Sequence, residues 1–173
     1  MIDSTAQIYL RALEPQDLDA LYLWENDTRL WSVGTTIAPF SRKQLYDYIV
    51  GYDNNIYMAR QLRLMVCRCH DDLTIGIVDI TDFDPSAMRA QVGIMIAPEF
   101  QNQGYGKLAL RAVTEYAKET LHMHQLYTMI PIGNIASRKL FAAVGFKPSG
   151  RLRSWLRLPS GRYADVLLQQ ILF

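Results

Sequence analysis

The sequence predicts an α/β (α+β) fold, in which about four helices flank a mixed, mostly antiparallel central sheet of about seven strands. The first observation behind this prediction is a run of three strand-like segments, 56–70, 73–83 and 88–97, joined by short turns. Strands joined this closely pair antiparallel, because a parallel connection needs a long crossover. The second observation is the helix, strand and helix that follow, since this order places helices on the sheet and adds a strand to it.

The first third of the chain predicts one strand and two helices. Residues 7–13 alternate well enough to form a first strand. A proline suits the first turn of a helix over 15–26, because its fixed φ is helical and no N–H is needed there. Ser41 and Gln44 have the spacing of a capping box and begin a second helix. The stretch 31–40 contains glycine and proline and is predicted to be irregular.

The C-terminal part predicts two helices and three strands, at 107–123, 125–131, 135–144, 151–158 and 164–172. The helix at 107 is the clearest, because its apolar residues form one broad face that neither glycine nor proline interrupts. Asn134 can cap the next helix, and Gly145 can end it. A Ser-Gly pair between the last two strands predicts a terminal hairpin.

The composition restricts the functions that the chain can have. Its 173 residues suit one domain, 1–173, and half of them are apolar, enough for a core without metal or disulfides. The net charge of +1, from 18 Lys and Arg against 17 Asp and Glu, does not favour nucleic-acid or membrane-surface partners. The two cysteines cannot complete a zinc site, and we expect them to be reduced. We see neither a signal-peptide pattern nor an apolar run of the roughly 18 residues that span a bilayer, and therefore expect a cytoplasmic protein.

The stretch from Gln101 to Gly106 is the main candidate for a binding site. It places Gly104 and Gly106 between a strand and a long helix. Backbone N–H groups at such a turn point outward and carry partial positive charge, so they can bind a phosphate group. The glycine spacing fits neither a Walker loop nor a dinucleotide-binding fingerprint. A tight strand-to-helix connection that binds nothing is the alternative.

Two motifs together resemble the GNAT superfamily of N-acetyltransferases. The pyrophosphate loop of that family, Gln/Arg-x-x-Gly-x-Gly/Ala, is matched by Gln101, Gly104 and Gly106. Its second signature is matched by Asn134, Ser137, Leu140 and Gly145-Phe146. The resemblance extends over the whole chain and is greatest to the branch that contains the spermidine and ribosomal-protein N-acetyltransferases. It implies a GNAT-like sheet, acetyl-CoA as the cofactor and no metal.

The resemblance also implies which residues bind acetyl-CoA. Backbone N–H groups of the loop, with the dipole of the following helix, would bind the pyrophosphate. The loop residues are Gln101, Asn102, Gln103, Gly104, Tyr105, Gly106 and Lys107. The pantetheine arm would enter a gap beside the strand at 125–131 and pair with the strand edge at Ile94, Met95 and Ile96. The other side of the cofactor would be lined by Asn134, Ser137, Arg138 and Phe141.

Two positions depart from the catalytic pattern of the family. Many relatives have a tyrosine acid five residues before the Phe of Gly-Phe, and this chain has Phe141 there. Many also have a glutamate near the start of the strand before the loop, where this chain has Gln91. The remaining candidates are a weak donor, a base and an oxyanion N–H, namely Ser137, Asp79, and Met95 or Ile96. Further acidic candidates are Glu25, Asp82 and Asp84.

The acceptor is expected near the first two helices, where acidic and aromatic side chains together suit a cationic amine. The candidates are Trp24, Glu25, Trp31 and Tyr46, with Asp79 on the sheet. The favoured function is acetyl transfer to a small, polyamine-like amine by direct attack on the thioester. The alternatives are acetylation of a protein N-terminus, as in the ribosomal-protein type, and a non-catalytic acyl-CoA-binding module. The exposed edges of the terminal hairpin favour a homodimer.

Overall fold

The computed structural model describes residues 7–31, 38–158 and 160–173. The helices are α1 (Leu18–Glu25), α2 (Thr28–Trp31), α3 (Arg42–Val50), α4 (Ile56–Ala59), α5 (Tyr105–Glu119) and α6 (Ile135–Val144). The strands are β1 (Ile8–Ala12), β2 (Leu62–Arg68), β3 (Thr74–Asp84), β4 (Arg89–Ile96), β5 (Gln125–Pro131), β6 (Lys147–Arg157) and β7 (Tyr163–Leu172). Most of the stretch predicted to be irregular, 31–40, lies outside the described residues.

One sheet contains the seven strands in the order β1-β2-β3-β4-β5-β7-β6. Every neighbouring pair is antiparallel except β4 and β5, which are parallel and are connected through α5. The predicted fold class, a mixed and mostly antiparallel sheet of about seven strands, is therefore confirmed. Among the described residues, α1, α3, α5 and α6 have eight or more residues and correspond to the four predicted helices.

The prediction of one strand over 56–70 is wrong at its start. The side chain of Asn55 accepts a hydrogen bond of 3.0 Å from the N–H of Tyr57 and begins the short helix α4. This helix ends at Arg60, whose φ of 58° is left-handed, and β2 begins only at Leu62. The cause is a local side-chain cap, which competes with strand formation and leaves no mark on the alternation of apolar residues.

One predicted helix has other ends in the structure, and another begins where it was predicted. The helix predicted over 107–123 runs over Tyr105–Glu119 instead, so it begins directly at the glycine loop. The second helix begins as predicted, because Ser41 and Gln44 form a reciprocal capping box. The amide N–H of Gln44 donates to the Ser41 hydroxyl over 3.1 Å, and the Gln44 side chain accepts from the N–H of Ser41 over 2.8 Å.

The sheet divides the core into two parts. On one face, α5 and α6 pack against alternate strand residues that include Val78 and Val92. On the other face, α1 and α3 pack against the intervening residues, which include Ile77 and Met95. Successive side chains of a strand point to opposite faces, so residues 79, 91 and 93 lie on the α1 and α3 side. In residues 7–31, 38–158 and 160–173 we find no helix long and apolar enough to cross a bilayer.

Candidate functional site

The strands β4 and β5 separate after a short paired segment and leave a gap in the sheet. They pair only over Arg89–Gln91 and Gln125–Tyr127. Beyond that point β4 continues to Ile96 and β5 continues to Pro131, but the two strands no longer pair with each other. A strand edge that lacks its neighbour presents N–H and C=O groups to whatever enters the gap. This edge can therefore bind an extended ligand by adding it as a strand.

The direction of the β4 backbone decides which N–H groups face the gap. The N–H of Ala97 donates to the carbonyl of Ile75 over 2.9 Å, so it points toward β3. Alternate residues of a strand direct their N–H groups to opposite sides, and the register with β3 is unbroken from Gln91 to Ile96. The N–H of Met95 therefore points toward β3, while those of Ile94 and Ile96 point into the gap. The expectation that Met95 supplies the oxyanion N–H is wrong, because this N–H is directed into the ladder with β3.

The glycine loop lies at the wide end of the gap. Gly104 has a φ of 90° and is the N-cap of α5, and Asn102 is also left-handed, with a φ of 60°. A Cβ atom on Gly104 would have no atom within 4 Å, so the space beside this backbone is open. The side-chain amide of Gln101 donates to the carbonyl of Ile96 over 2.9 Å and fixes the loop to the end of β4. The loop thus presents the N-terminus of a fifteen-residue helix to open space.

A cavity of about 930 Å³ joins the loop, the gap and α6. Ten of the predicted cofactor residues line it: Ile94, Ile96, Gln101, Asn102, Gly104, Gly106, Lys107, Asn134, Ser137 and Phe141. It also reaches β5 at Thr128 and Met129, α2 at Arg29 and Leu30, and the terminal hairpin at Trp155. The sequence thus anticipated most of one wall of the cavity.

Four predicted cofactor residues do not line the cavity. The side chain of Met95 packs into the core cluster under α1 and α3. The ring of Tyr105 lies edge-on to Phe100, with the centroids 6.5 Å apart. The Gln103 amide donates to the Glu99 carbonyl over 2.9 Å, and the Arg138 guanidinium donates to a backbone carbonyl over 3.0 Å. Each of these side chains supports the fold around the cavity.

The N-terminus of α6 forms part of the cavity wall. The Asn134 side-chain oxygen accepts a hydrogen bond of 3.1 Å from the N–H of Ser137 and caps the helix. Within the described part of the chain, the hydrogen bonds of Asn134 do not use its side-chain nitrogen. One amide atom therefore caps the helix and the other remains for a ligand. One turn beyond Ser137, Phe141 is buried, with its ring edge-on to Phe146 at 5.0 Å.

None of the five residues predicted to bind the acceptor lines the cavity, and one of them, Tyr46, is exposed on α3. Trp24 is buried in the core, and the Trp31 indole donates to the Glu25 carbonyl over 2.7 Å. The carboxylates of Glu25 and Asp79 both pair with Arg63. Both oxygens of Asp79 accept hydrogen bonds from this guanidinium, over 2.7 and 2.9 Å. Asp79 is therefore a poor candidate for a free general base, since proton transfer to it would disrupt the ion pair.

A family model for the acetyltransferase (GNAT) domain matches residues 7–147. The chain belongs to the GNAT acetyltransferase family. The match includes both the glycine loop and the second motif at Asn134, so the resemblance inferred from these two motifs is confirmed. It also extends over the strand before the loop and the helices that flank it.

Curated relatives of this GNAT chain include enzymes of two kinds. The spermidine N(1)-acetyltransferase of Vibrio cholerae is 27% identical over 167 residues, which cover 96% of this chain and 94% of the relative. A putative ribosomal N-acetyltransferase of Bacillus subtilis is 24% identical, with 95% of this chain and 91% of the relative covered. The solved structure of the Vibrio cholerae enzyme with CoA and spermine has a TM-score of 0.85 at 27% identity, covering 97% of this chain and 96% of that chain. The chain is an acetyl-CoA-dependent N-acetyltransferase.

The residues of this GNAT domain fit acetyl-CoA. The open space at Gly104 is the space that a pyrophosphate needs beside backbone N–H groups. The unpaired edge at Ile94 and Ile96 suits the amide groups of a pantetheine arm. When bound, acetyl-CoA supplies an activated acetyl thioester, and the chain has to bind and orient it.

Several cavity residues were missed by the sequence reasoning. Gln91 was read from the sequence only as a missing base, but it lines the cavity, and its buried side-chain oxygen has no hydrogen-bond partner among the described residues. Thr128 is a buried polar residue at the first position where β5 leaves β4. Thr128 is a polar residue among the alternate, otherwise apolar residues of β5, and this pattern is visible in the sequence. Arg63 and the cavity residues of α2 have no such signal, because their neighbours are distant in the sequence.

Proposed function

We propose that this GNAT enzyme transfers the acetyl group of acetyl-CoA to a primary amine of a small, polyamine-like acceptor. The observation that carries the proposal is the position of Gly93 in the cavity wall. Gly93 on β4 is the strand partner of Asp79 on β3, which in turn is the strand partner of Arg63 on β2. A Cβ atom on Gly93 would have no atom within 4 Å, so this side of β4 is open next to the carboxylates. Two curated relatives, the spermidine N(1)-acetyltransferases of Vibrio cholerae and Escherichia coli, support a polyamine-like acceptor.

The proposed chemistry is direct attack of a neutral amine on the thioester carbonyl carbon. A carbon–nitrogen bond forms, the carbon–sulfur bond breaks, and coenzyme A leaves as the thiolate. The N–H groups of Ile94 and Ile96 face the gap and are candidates to stabilise the oxyanion. Asn134 and Ser137 lie on the opposite wall, where Ser137 is a weak donor toward the leaving sulfur. A thiolate whose acid has a pKa of about 8.5 can leave near neutral pH without a strong acid.

No group in the described cavity wall replaces the usual base. Gln91 occupies that position and is an amide, which takes up no proton near neutral pH. Its unpartnered oxygen can accept a hydrogen bond from the amine and orient it without removing its proton. Water then removes the proton, so turnover depends on the fraction of acceptor that is already neutral. For an alkylamine with a pKa of about 10.4, this fraction increases tenfold per pH unit through neutrality.

Acetylation of a protein N-terminus is the second candidate function, and the putative ribosomal relative favours it. A thiol-release assay with polyamines, monoamines and short peptides, analysed by mass spectrometry of the products, separates the two functions. We expect turnover with putrescine or spermidine and little with peptides. Turnover with peptides alone would overturn the polyamine proposal. Binding of acetyl-CoA without turnover on any amine would support the non-catalytic alternative, against which the enzymatic relatives argue.

A homodimer formed through the terminal hairpin remains part of the proposal. The strand β6 is at the edge of the sheet and is largely exposed, and Trp155 and Tyr163 are exposed apolar groups on this hairpin. The Vibrio cholerae spermidine N-acetyltransferase is dodecameric in one solved structure, which supports assembly of some kind. Light scattering of the purified chain tests it, and a monomer at micromolar concentration would contradict it. A cytoplasmic location also remains a prediction.

A further inference from the structure

Arg63 is an internal cation that pairs with two carboxylates, those of Glu25 and Asp79. Its guanidinium donates to both oxygens of Asp79, over 2.7 and 2.9 Å, and to one oxygen of Glu25, over 3.0 Å. The ring of Tyr48 lies 5.6 Å from its central carbon. Carboxylates and an aromatic ring around one cation are the groups that proteins use to recognise a substrate ammonium. Here a residue of the chain itself occupies that place.

The charge of this cluster is well defined. Burial alone lowers the pKa of the Arg63 guanidinium, but the carboxylate of Asp79 raises it, and the net pKa is above its ordinary value. Burial raises the pKa of Tyr48 to about 12, so its hydroxyl is neutral near pH 7. With two carboxylates and one guanidinium, the cluster carries one net negative charge.

The cluster is partly exposed and is next to a residue of the cavity wall, Gly93. Arg63, Asp79 and Gly93 are direct partners across β2, β3 and β4, and the missing side chain of Gly93 leaves the row open at the gap. The side chains of Glu25 and Asp79 are 21% and 33% exposed, so solutes can reach them. Within the described part of the chain, the hydrogen bonds of the Glu25 side chain use one carboxylate oxygen and leave the other, Oε2, for a ligand.

We propose that Arg63 determines acceptor specificity. Because its positive charge offsets one of the two carboxylates, the cluster keeps one net negative charge. This charge matches an acceptor that has a single ammonium group in addition to the reacting amine. The inference rests on the proposed function. Both carboxylates without Arg63 would attract two distal cations. With Arg63 bound to Asp79, only Glu25 remains to hold one. The preferred substrate class is therefore the linear diamines, and a second distal charge, as in spermidine, adds little.

The test compares kcat/KM for butylamine, putrescine and spermidine, which have none, one and two distal cations. For the wild type we expect putrescine to exceed butylamine by about fivefold, the order that one partly exposed ion pair contributes, and spermidine to resemble putrescine. Arg63→Met leaves two unpaired carboxylates, so the spermidine-to-putrescine ratio should rise by about fivefold. High salt should reduce both ratios, because exposed charges are screened.

Two control variants separate charge from structure. Arg63→Lys keeps the charge without the bidentate geometry, and Arg63→Met with Asp79→Asn restores one net negative charge. Both should keep the wild-type spermidine-to-putrescine ratio. An unchanged ratio in an Arg63→Met protein that still binds acetyl-CoA would overturn the inference.

A second variant covers the case in which Arg63→Met fails to fold. Glu25→Gln should bring the putrescine-to-butylamine ratio close to one, and a ratio that stays at the wild-type value would overturn the inference. A wild-type protein that acetylates none of the three amines would overturn the proposed function itself, and the specificity inference with it.

Discussion

At the scale of single residues, the cavity has a binding surface and few proton-transfer groups. Gln91 and Phe141 line the cavity with an amide and a phenyl ring, neither of which exchanges a proton near neutral pH, and Asp79 is held by Arg63. What remains is a set of backbone N–H groups at Ile94 and Ile96 and amide or hydroxyl side chains on α6. Catalysis here should depend on orientation and on oxyanion stabilisation more than on proton transfer.

Restoring the acid is the first residue-scale prediction. Phe141→Tyr places a phenol at the cavity wall, where it can protonate the leaving thiolate. We therefore expect kcat to rise by about tenfold or more at pH values below about 10, the ordinary pKa of a phenol. Steady-state kinetics over a pH series measure the effect. Phe146→Tyr is the matched control, because its ring is equally buried but does not line the cavity. It should lower stability without raising kcat. An unchanged kcat in folded Phe141→Tyr would show that thiolate departure is not limiting.

The loop glycine gives the second residue-scale prediction. Gly104→Asp adds a side chain and a negative charge at the place proposed for the pyrophosphate, so acetyl-CoA affinity should fall by at least about a hundredfold, as expected for a like charge at contact in a sheltered site. Isothermal titration calorimetry measures it. Gly161→Asp is the matched control, because Gly161 also has a positive φ, of 81°, and open space around its Cβ, but lies in the terminal hairpin. Equal affinity in both variants would refute the loop assignment.

At the scale of elements, the gap between β4 and β5 depends on how closely β4 is held to β3. A Cβ atom on Gly76 would lie 2.4 Å from the Met95 carbonyl oxygen and 3.2 Å from the Ile96 Cα. Both are backbone atoms, which cannot rotate away. Because Gly76 of β3 has no side chain, β4 can lie close to β3 at this point. The other edge of β4 then stays open toward β5.

Gly76→Ala tests this dependence. The added methyl group has to displace β4 toward the gap, so we expect a loss of about 1–3 kcal/mol in the free energy of unfolding, together with weaker acetyl-CoA binding. Urea denaturation and calorimetry measure the two effects. Gly93→Ala is the control on the next strand, where a Cβ atom has no neighbour within 4 Å. It should change stability by less than about 0.5 kcal/mol. A stable Gly76→Ala protein would show that β4 can move without cost.

At the scale of the whole molecule, both core clusters meet on one sheet, and we propose that the chain unfolds as one domain. The faces are connected through the strands, since Ile77 and Val78 are neighbours in β3 but belong to opposite clusters. Two clusters that share the strands β2, β3 and β4 cannot lose their packing independently.

Thermal unfolding tests the single domain and the cofactor together. We expect one transition, and with acetyl-CoA at a hundred times its Kd we expect about 2.7 kcal/mol of stabilisation. For a protein of this size that amounts to an increase in Tm of roughly 5–10 °C. Differential scanning calorimetry with acetyl-CoA, and with adenosine as the control that lacks the pyrophosphate and pantetheine, measures it. Two separate transitions would contradict the single domain, and an unchanged Tm with acetyl-CoA would contradict the cofactor site.

The sequence by itself determined the elements whose causes are local. The strand at 125–131 and the helix at 135–144 have the predicted bounds, because alternation, an Asn cap and a Gly end are all written in neighbouring residues. The glycine loop was recognised for the same reason. The helix at 56–59 was not, since apolar alternation outweighed the capping Asn55.

Only the tertiary structure decided how the predicted acceptor carboxylates are paired. Arg63 reaches Asp79 and Glu25 across 16 and 38 residues of sequence, and no local pattern indicates that pairing. The pairing changed Asp79 from a candidate base into the partner of a guanidinium. The choice of Ile94 and Ile96 over Met95 likewise depended on the bond between Ala97 and Ile75 in the folded sheet. Long-range contacts are set by strand register and packing, and they exist only once the chain has folded.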